Sequence, residues 1–122
     1  DGRDIAPLVF GKQGARSPHE AFYYYHVDQL QAVRSGPYKL YLPLENMLTL
    51  GGRKPVRQQA ALYDLAADIG ETRNVLDEHP DVAARLTALA ERAREDLGDR
   101  GRPGKNRRPA GHEPTPTPRL MR

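Results

Sequence analysis

Residues 21–42, AFYYYHVDQLQAVRSGPYKLYL, carry the clearest structural signal in this chain. They open with Ala21–Tyr25, which is dense in the aromatic residues that buried strands favour. In Leu30–Arg34 and Tyr38–Leu42 the side chains alternate with the period of two that a strand imposes. Four residues separate the first two segments, a length that suits a hairpin loop, and Ser35-Gly36-Pro37 is a turn signal. The pattern predicts three antiparallel strands in succession.

A fourth strand, Ala61–Leu65, and a helix beginning at Pro80 are predicted further along. Proline suits the first helical position because its missing N–H would have no partner there, and Gly98 is the expected stop. Apolar residues spaced by three and four form one face of this helix: Val82, Leu86, Leu89, Ala90, Ala93 and Leu97. Because this face needs a partner, we predict an α+β unit in which the helix packs on a small antiparallel sheet of three or four strands.

The composition limits the chain to one domain and excludes several kinds of chemistry. Its 122 residues suffice for a single folded domain. It has no cysteine, which excludes disulfides, thiol catalysis and cysteine-based zinc sites. No apolar run approaches the roughly 18 residues of a membrane-spanning helix. Because the chain begins at Asp1 rather than Met, we expect a processed form or a fragment.

Residues 99–122 differ from the rest in charge and composition. They carry a net charge of +5, whereas the first 98 residues carry −2. They hold five of the eleven prolines and only two aliphatic residues larger than alanine, Leu120 and Met121. Such a segment buries too little apolar surface to offset its loss of conformational entropy, so we predict a disordered basic tail. No aromatic residue is interleaved with its charges to stack on bases, so we expect no specific nucleic-acid partner.

Residues of the kinds used in catalysis or metal binding are few. On a strand, His26 and Asp28 would point to the same face, but two ligands do not make a metal site, and a polar hairpin loop is the favoured interpretation. The pair His19-Glu20 has no further ligand near it, and no nucleophile has a paired base. The sequence therefore predicts no catalytic residue and no metal site within this chain.

The long connection 43–60 is a second candidate, because loops of that length are often functional. It holds Gly51-Gly52 and three basic residues, Arg53, Lys54 and Arg57. The spacing is not that of a phosphate-binding loop. A solvated loop is the favoured interpretation, and contact with an anionic ligand is the alternative.

Four segments, in order along the chain, carry a resemblance to a known family. They are Asp1-Gly2-Arg3-Asp4-Ile5 with Pro7-Leu8, Ser17-Pro18-His19-Glu20 with Phe22-Tyr23-Tyr24-Tyr25, Ala32-Val33-Arg34-Ser35-Gly36 with Tyr38-Lys39-Leu40, and Leu62-Tyr63-Asp64-Leu65 with Asp68, Gly70, Glu71 and Asn74. The helix opening His79-Pro80-Asp81 follows. Together they resemble the C-terminal region of the type I sulfatases, the arylsulfatase-like hydrolases. The departures are Tyr38, where the family often has Trp, and Ile69, where it often has Pro.

The resemblance implies a parent enzyme that hydrolyses sulfate esters with calcium and a formylglycine, which is made from the Cys or Ser of a Cys-x-Pro-x-Arg type motif. This chain has no Cys and no Ser-x-Pro-x-Arg, so none of the family's catalytic residues can be carried onto it. What the resemblance implies for this chain is a C-terminal subdomain, residues 21–98, which residues 1–20 connect to an upstream catalytic domain, its partner. Family members are often periplasmic, secreted or lysosomal.

In such a parent, loops of the subdomain would close one side of the substrate pocket at the domain boundary. We expect two loops to contact the part of the substrate other than its sulfate. They are the hairpin around His26–Gln29, with His26 and Asp28, and the loop 44–59, with Arg53, Lys54 and Arg57. The alternative is a free-standing α+β binding or structural module with a basic tail or loop for an acidic partner.

Overall fold

The structure is a computed structural model that describes residues 3–52, 54–108, 111, 114 and 115. None of the helices in this described part is long and apolar enough to cross a membrane. In chain order the elements are α1 (Ala6–Val9), β1 (Phe22–His26), β2 (Gln29–Ser35), β3 (Tyr38–Tyr41), β4 (Leu44–Met47), a 3-10 turn (Leu50–Gly52), β5 (Val56–Gln58), β6 (Ala61–Asp64), α2 (Pro80–Asp96), β7 (Gly98–Asp99) and β8 (Arg102–Pro103).

The central sheet has four antiparallel strands in the order β1-β2-β3-β6, which confirms the predicted sheet. Only Val27 and Asp28 separate β1 from β2, so this hairpin loop is shorter than the four residues predicted. In the ladder, Val33 of β2 lies beside Leu40 of β3, and Leu40 lies beside Leu62 of β6. This row of apolar side chains is the contribution of the sheet to the hydrophobic core.

The predicted helix is confirmed as α2, which packs its apolar stripe on that face of the sheet. Val82 is half-buried, and Leu97 is 48% exposed, so the prediction that Leu97 continues the stripe is wrong. The helix ends at Asp96, and Gly98, with a φ of 98°, turns the chain away. Burial of one leucine side chain contributes about 1.5–3 kcal/mol. The helix residues that are fully buried are Leu86, Leu89, Ala90 and Ala93.

The connection 43–60, for which no element was predicted, contains a second hairpin. β4 and β5 pair as a two-stranded antiparallel sheet of their own, with the 3-10 turn between them. Gly51 sits in this turn with a φ of 75°, a conformation that favours glycine. Strands of three or four residues carry too little periodicity to be recognised, so the sequence predicts only a loop there.

The ordered part of the chain extends beyond Gly98, whereas the sequence predicted a disordered tail from residue 99. β7 and β8 pair, and the backbone N–H groups of Lys105 and Asn106 donate to carbonyls in the last turn of α2 at 2.8 and 2.9 Å. Gly104 allows this close approach, since a Cβ there would lie 2.2 Å from backbone. Residues 98–106 therefore form a cap on the end of the helix, here called the C-terminal hairpin. Within the predicted tail, residues 109, 110, 112, 113 and 116–122 lie outside the described part.

Asp99 anchors the C-terminal hairpin to the sheet. Its carboxylate accepts a hydrogen bond from Nε of Arg94 at 2.6 Å and one from the backbone N–H of Leu30 at 3.0 Å. Burial by itself raises the pKa of the Asp99 carboxyl, but the hydrogen bonds from Arg94, Leu30 and Arg100 outweigh it, so the pKa lies below its ordinary value. The fold therefore favours the charged carboxylate.

Replacing Asp99→Asn should lower the free energy of unfolding by about 1–3 kcal/mol at neutral pH, because Arg94 loses one of its two carboxylate partners and keeps only Glu91. A carboxyl with a pKa below its unfolded value of about 3.9 stabilises the fold above that pH and loses this effect as the pH falls through the folded pKa. We therefore expect the difference between wild type and D99N to shrink as the pH is lowered from about 5 to 2. Denaturant unfolding across this range measures it, and a difference independent of pH would contradict the role given to the carboxylate.

Leu62→Ala should lower the free energy of unfolding by about 2–5 kcal/mol, because Leu62 is fully buried between sheet and helix. Ile69→Ala is the control: Ile69 is 82% exposed, and we expect a change within about 0.5 kcal/mol. Denaturant unfolding compares the two. Similar losses in both variants would show that the core is placed wrongly.

Candidate functional site

The structure brings the two predicted substrate-contact loops to one end of the sheet. His26 is the last residue of β1 and pairs with Gln29, the first residue of β2, so the turn of Val27 and Asp28 lies at this end. The side chain of Gln29 in turn bonds the backbone of Asn46 in β4. The β4–β5 hairpin therefore starts beside the β1–β2 turn, although 17 residues separate the two bonded positions.

At the β1–β2 turn, His26 is half-buried and Asp28 is exposed. Asp28 lines a surface cavity of about 410 Å³. Tyr25 and Arg102, which belongs to the C-terminal hairpin, line the same cavity. Val27 has a φ of 57°, which a β-branched residue rarely adopts, so the tip of the turn is strained. His26 and Asp28 thus lie at the same end as the β4–β5 hairpin, but Asp28 faces the C-terminal hairpin.

The tip of the β4–β5 hairpin forms the second depression. Lys54 lines it together with Thr49, Gly51 and the apolar side chains of Leu50 and Val56. Leu50 is 79% exposed and Val56 is 46% exposed. This surface, here called the hairpin tip, combines the cation of Lys54 with exposed apolar groups, which suits a ligand that is partly anionic and partly apolar.

The sequence analysis named two other basic residues in this loop as substrate contacts. The structure describes Arg57, whereas Arg53 lies outside the described residues. Arg57 forms an ion pair with Glu45 across the β4–β5 hairpin at 3.2 Å. Both side chains are largely exposed, and such surface pairs contribute at most about 1 kcal/mol. An anionic ligand would therefore displace Glu45 from Arg57 at little cost.

Metal-ligating side chains do not converge in the part of the chain that the structure describes. In residues 3–52, 54–108, 111, 114 and 115, no group of three or more His, Cys, Asp or Glu side chains could hold a metal ion. His26 and Asp28 therefore lack a third ligand there, and the residues present do not fit a calcium ion. The sequence also has no cysteine from which a formylglycine could form.

A polar cluster that the sequence analysis missed lies on the sheet face opposite α2. Lys39 Nζ donates to Glu71 at 2.7 Å and to the Tyr41 hydroxyl at 2.8 Å, and Tyr41 donates to Glu71 at 2.8 Å. Lys39 Nζ also lies 5.0 Å from the centre of the Tyr24 ring. The alternation of β3 did place Lys39 and Tyr41 on one face, but nothing in the sequence indicated that Glu71, some 30 residues away, would reach them.

The charges of this cluster are mutually satisfied. Burial lowers the pKa of Lys39, but the hydrogen bonds to Glu71 and Tyr41 outweigh burial and raise it overall. Burial raises the pKa of Glu71, and the hydrogen bonds from Lys39 and Tyr41 bring it below its ordinary value. The raised pKa of Lys39 and the lowered pKa of Glu71 both favour the ion pair, which ties the turn after β6 to the sheet.

The comparisons with known proteins agree on one family. The family model for the C-terminal region of aryl-sulfatase matches residues 17–107. Seventeen chains of solved structures also match, whereas no curated protein does. The family match runs past Gly98, in agreement with the ordered C-terminal hairpin.

One of the matching structures is a sulfatase. Its title reads "Metabolism of multiple glycosaminoglycans by Bacteroides thetaiotaomicron is orchestrated by a versatile core genetic locus". It superimposes with a TM-score of 0.59 at 26% identity, over 76% of this chain. This chain corresponds to only 20% of that one. The resemblance seen in the sequence is confirmed. Because the family match takes in the whole central sheet, α2 and the C-terminal hairpin, this chain belongs to the aryl-sulfatase family, of which it is the C-terminal region.

Proposed function

We propose that this chain is the C-terminal subdomain of an enzyme that hydrolyses sulfate esters. It packs on an upstream catalytic domain of the same polypeptide and shapes one side of the substrate pocket, without itself being catalytic. The observation that carries the proposal is the family match over residues 17–107, which covers the packed unit from before β1 to the C-terminal hairpin. The calcium ion and the formylglycine belong, in this proposal, to the catalytic domain.

Exposed apolar surface supports packing on a larger domain. On the sheet face opposite α2, Phe22 is 51% exposed and Tyr24 is 41% exposed. α1 buries none of its residues, and Val9 and Phe10 at its end are 69% and 84% exposed. Phe22 and Tyr24 share one face of β1, and Val9 and Phe10 are adjacent in the chain, so each pair forms an exposed apolar patch of the kind that marks interaction surfaces. We assign them to the contact with the catalytic domain.

The position and chemistry of the hairpin tip support a role in the substrate pocket. Lys54 lies at the tip, and Arg57 forms an exposed ion pair with Glu45. Since the catalytic domain would hold the sulfate ester itself, these cations would meet further acidic groups of the substrate. The matching Bacteroides structure is described in terms of glycosaminoglycan metabolism. A sulfated carbohydrate with several acidic groups is therefore the substrate class that we propose.

In the full-length protein, the double substitution Lys54→Ala/Arg57→Ala should reduce kcat/KM on such a polyanionic sulfated carbohydrate by about tenfold. The two lost cations would each have contributed a fraction of the roughly 1.4 kcal/mol that a tenfold change represents. Hydrolysis of a small aryl sulfate should be unaffected, because it carries no second acidic group. Steady-state kinetics on both substrates measure the ratio.

Arg100→Ala/Lys105→Ala is the matched control. It removes one arginine and one lysine from exposed positions in the C-terminal hairpin, neither of which lines the hairpin tip. We expect its substrate preference to equal that of the wild type. If Lys54→Ala/Arg57→Ala also leaves the preference unchanged, the pocket role is wrong.

A further inference from the structure

We infer that three glutamines, Gln29, Gln31 and Gln58, are positioning residues that fix the β4–β5 hairpin beside the β1–β2 turn and thereby set substrate preference. Their role in substrate preference rests on the proposed function, whereas the anchoring rests on the contacts alone. The β4–β5 hairpin forms a two-stranded sheet separate from the central one, so no continuous backbone ladder orients it. Two-residue linkers join it to β3 and β6, and side-chain hydrogen bonds fix the direction in which it leaves them.

Gln29 bonds the first strand of the hairpin in two directions. Its Nε2 donates to the carbonyl of Asn46 at 3.0 Å, and its Oε1 accepts the backbone N–H of Leu48 at 2.8 Å. Gln29 is only 7% exposed, although it immediately follows the β1–β2 turn. A buried amide that both donates and accepts holds its partner backbone in one register, because any shift would leave polar groups unpaired.

Gln31 reaches the same strand because of an irregularity in the central sheet. In the β1–β2 ladder Tyr24 pairs with Ala32 and Tyr25 with Leu30, so Gln31 is the extra residue of a β-bulge. Its Nε2 donates to the carbonyl of Leu48 at 2.9 Å and to Oε1 of Gln29 at 3.1 Å. Bulges commonly redirect a side chain, and here two neighbouring glutamines hold both backbone groups of one hairpin residue.

Gln58 makes the reciprocal connection from β5 back to the central sheet. Its Nε2 donates to the carbonyl of Leu42 at 2.7 Å and to the carbonyl of Gln31 at 3.0 Å. The Gln31 carbonyl also accepts the N–H of Leu42 at 3.0 Å, so both of its lone pairs are used. Both strands of the hairpin are thus tied to the bulged end of β2.

Apolar contact could hold the hairpin close to the sheet but would not orient it. Leu44 and Met47 are half-buried, and hydrophobic attraction has no preferred direction. The amide hydrogen bonds supply the direction, and Lys54 and Arg57 are carried on the strand and turn that these bonds orient. Loss of these hydrogen bonds should therefore make the positions of Lys54 and Arg57 less well defined without unfolding the central sheet.

The test uses Gln58→Glu in the full-length protein, because this change keeps the size of the side chain but replaces the donor amide by an acceptor opposite two carbonyls. Hydrogen exchange of residues 44–58 should become about tenfold faster, while β2, β3 and α2 keep their protection. The KM for a polyanionic sulfated carbohydrate should rise several-fold, with kcat on a small aryl sulfate unchanged. A purely structural role would instead lower activity on both substrates.

Gln59→Glu is the matched control, since it adds the same charge at the neighbouring exposed residue. It should change neither exchange nor kinetics. If Gln58→Glu loses protection throughout β2 and β3, Gln31→Met takes its place as the test variant, because it removes the Gln31 bonds with an apolar side chain of similar length.

Two results would overturn the inference, and they are distinguishable. Unchanged exchange in residues 44–58 would show that the glutamines do not anchor the hairpin, whatever the enzyme does. Faster exchange with unchanged substrate preference would keep the anchoring but refute the specificity role, and with it the proposed place of the hairpin in the substrate pocket.

Discussion

Burial of the α2 stripe against the row Val33, Leu40 and Leu62 is the contact that organises this subdomain. Because side chains alternate along a strand, placing this row under the helix sends Lys39 and Tyr41 to the opposite face. The same packing brings the end of α2 next to the start of β2, where Asp99 reaches the backbone of Leu30. Both candidate loops therefore start from a sheet end that is fixed by core packing and by the half-buried carboxylate of Asp99.

The sequence predicted those parts of the fold that repeat with a regular period. Alternation predicts the strands of residues 21–42, and spacing by three and four predicts the apolar stripe of α2, because both patterns reflect burial on one face. The features it missed depend on single long-range contacts, such as Asp99 with Leu30 and Glu71 with Lys39. A contact made by one side chain across many residues leaves no local pattern. Lys54 and Arg57 could be proposed from charge and loop length, whereas the glutamines that orient them could not.

Among the basic residues after Gly98, Arg102 forms ion pairs with α2, which the composition of this segment does not indicate. Arg102 pairs with Glu91 of α2 at 3.1 Å, so part of the positive charge assigned to a free tail is directed at the acidic side of the helix. Lys105 and Asn106 cap the helix end through their backbone. This arrangement, together with the family match through residue 107, favours a subdomain built into a larger enzyme over a free-standing module with a basic arm.

Hydrolysis of a chromogenic aryl sulfate in the presence of calcium, with the full-length protein and this 122-residue chain side by side, decides whether this is a non-catalytic part of a sulfatase. We predict activity in the full-length protein and none in the chain alone, because the chain has no cysteine and no cluster of metal ligands among its described residues. Activity in the isolated chain would contradict its non-catalytic role. A full-length protein inactive on both aryl and carbohydrate sulfates would contradict the sulfatase function itself.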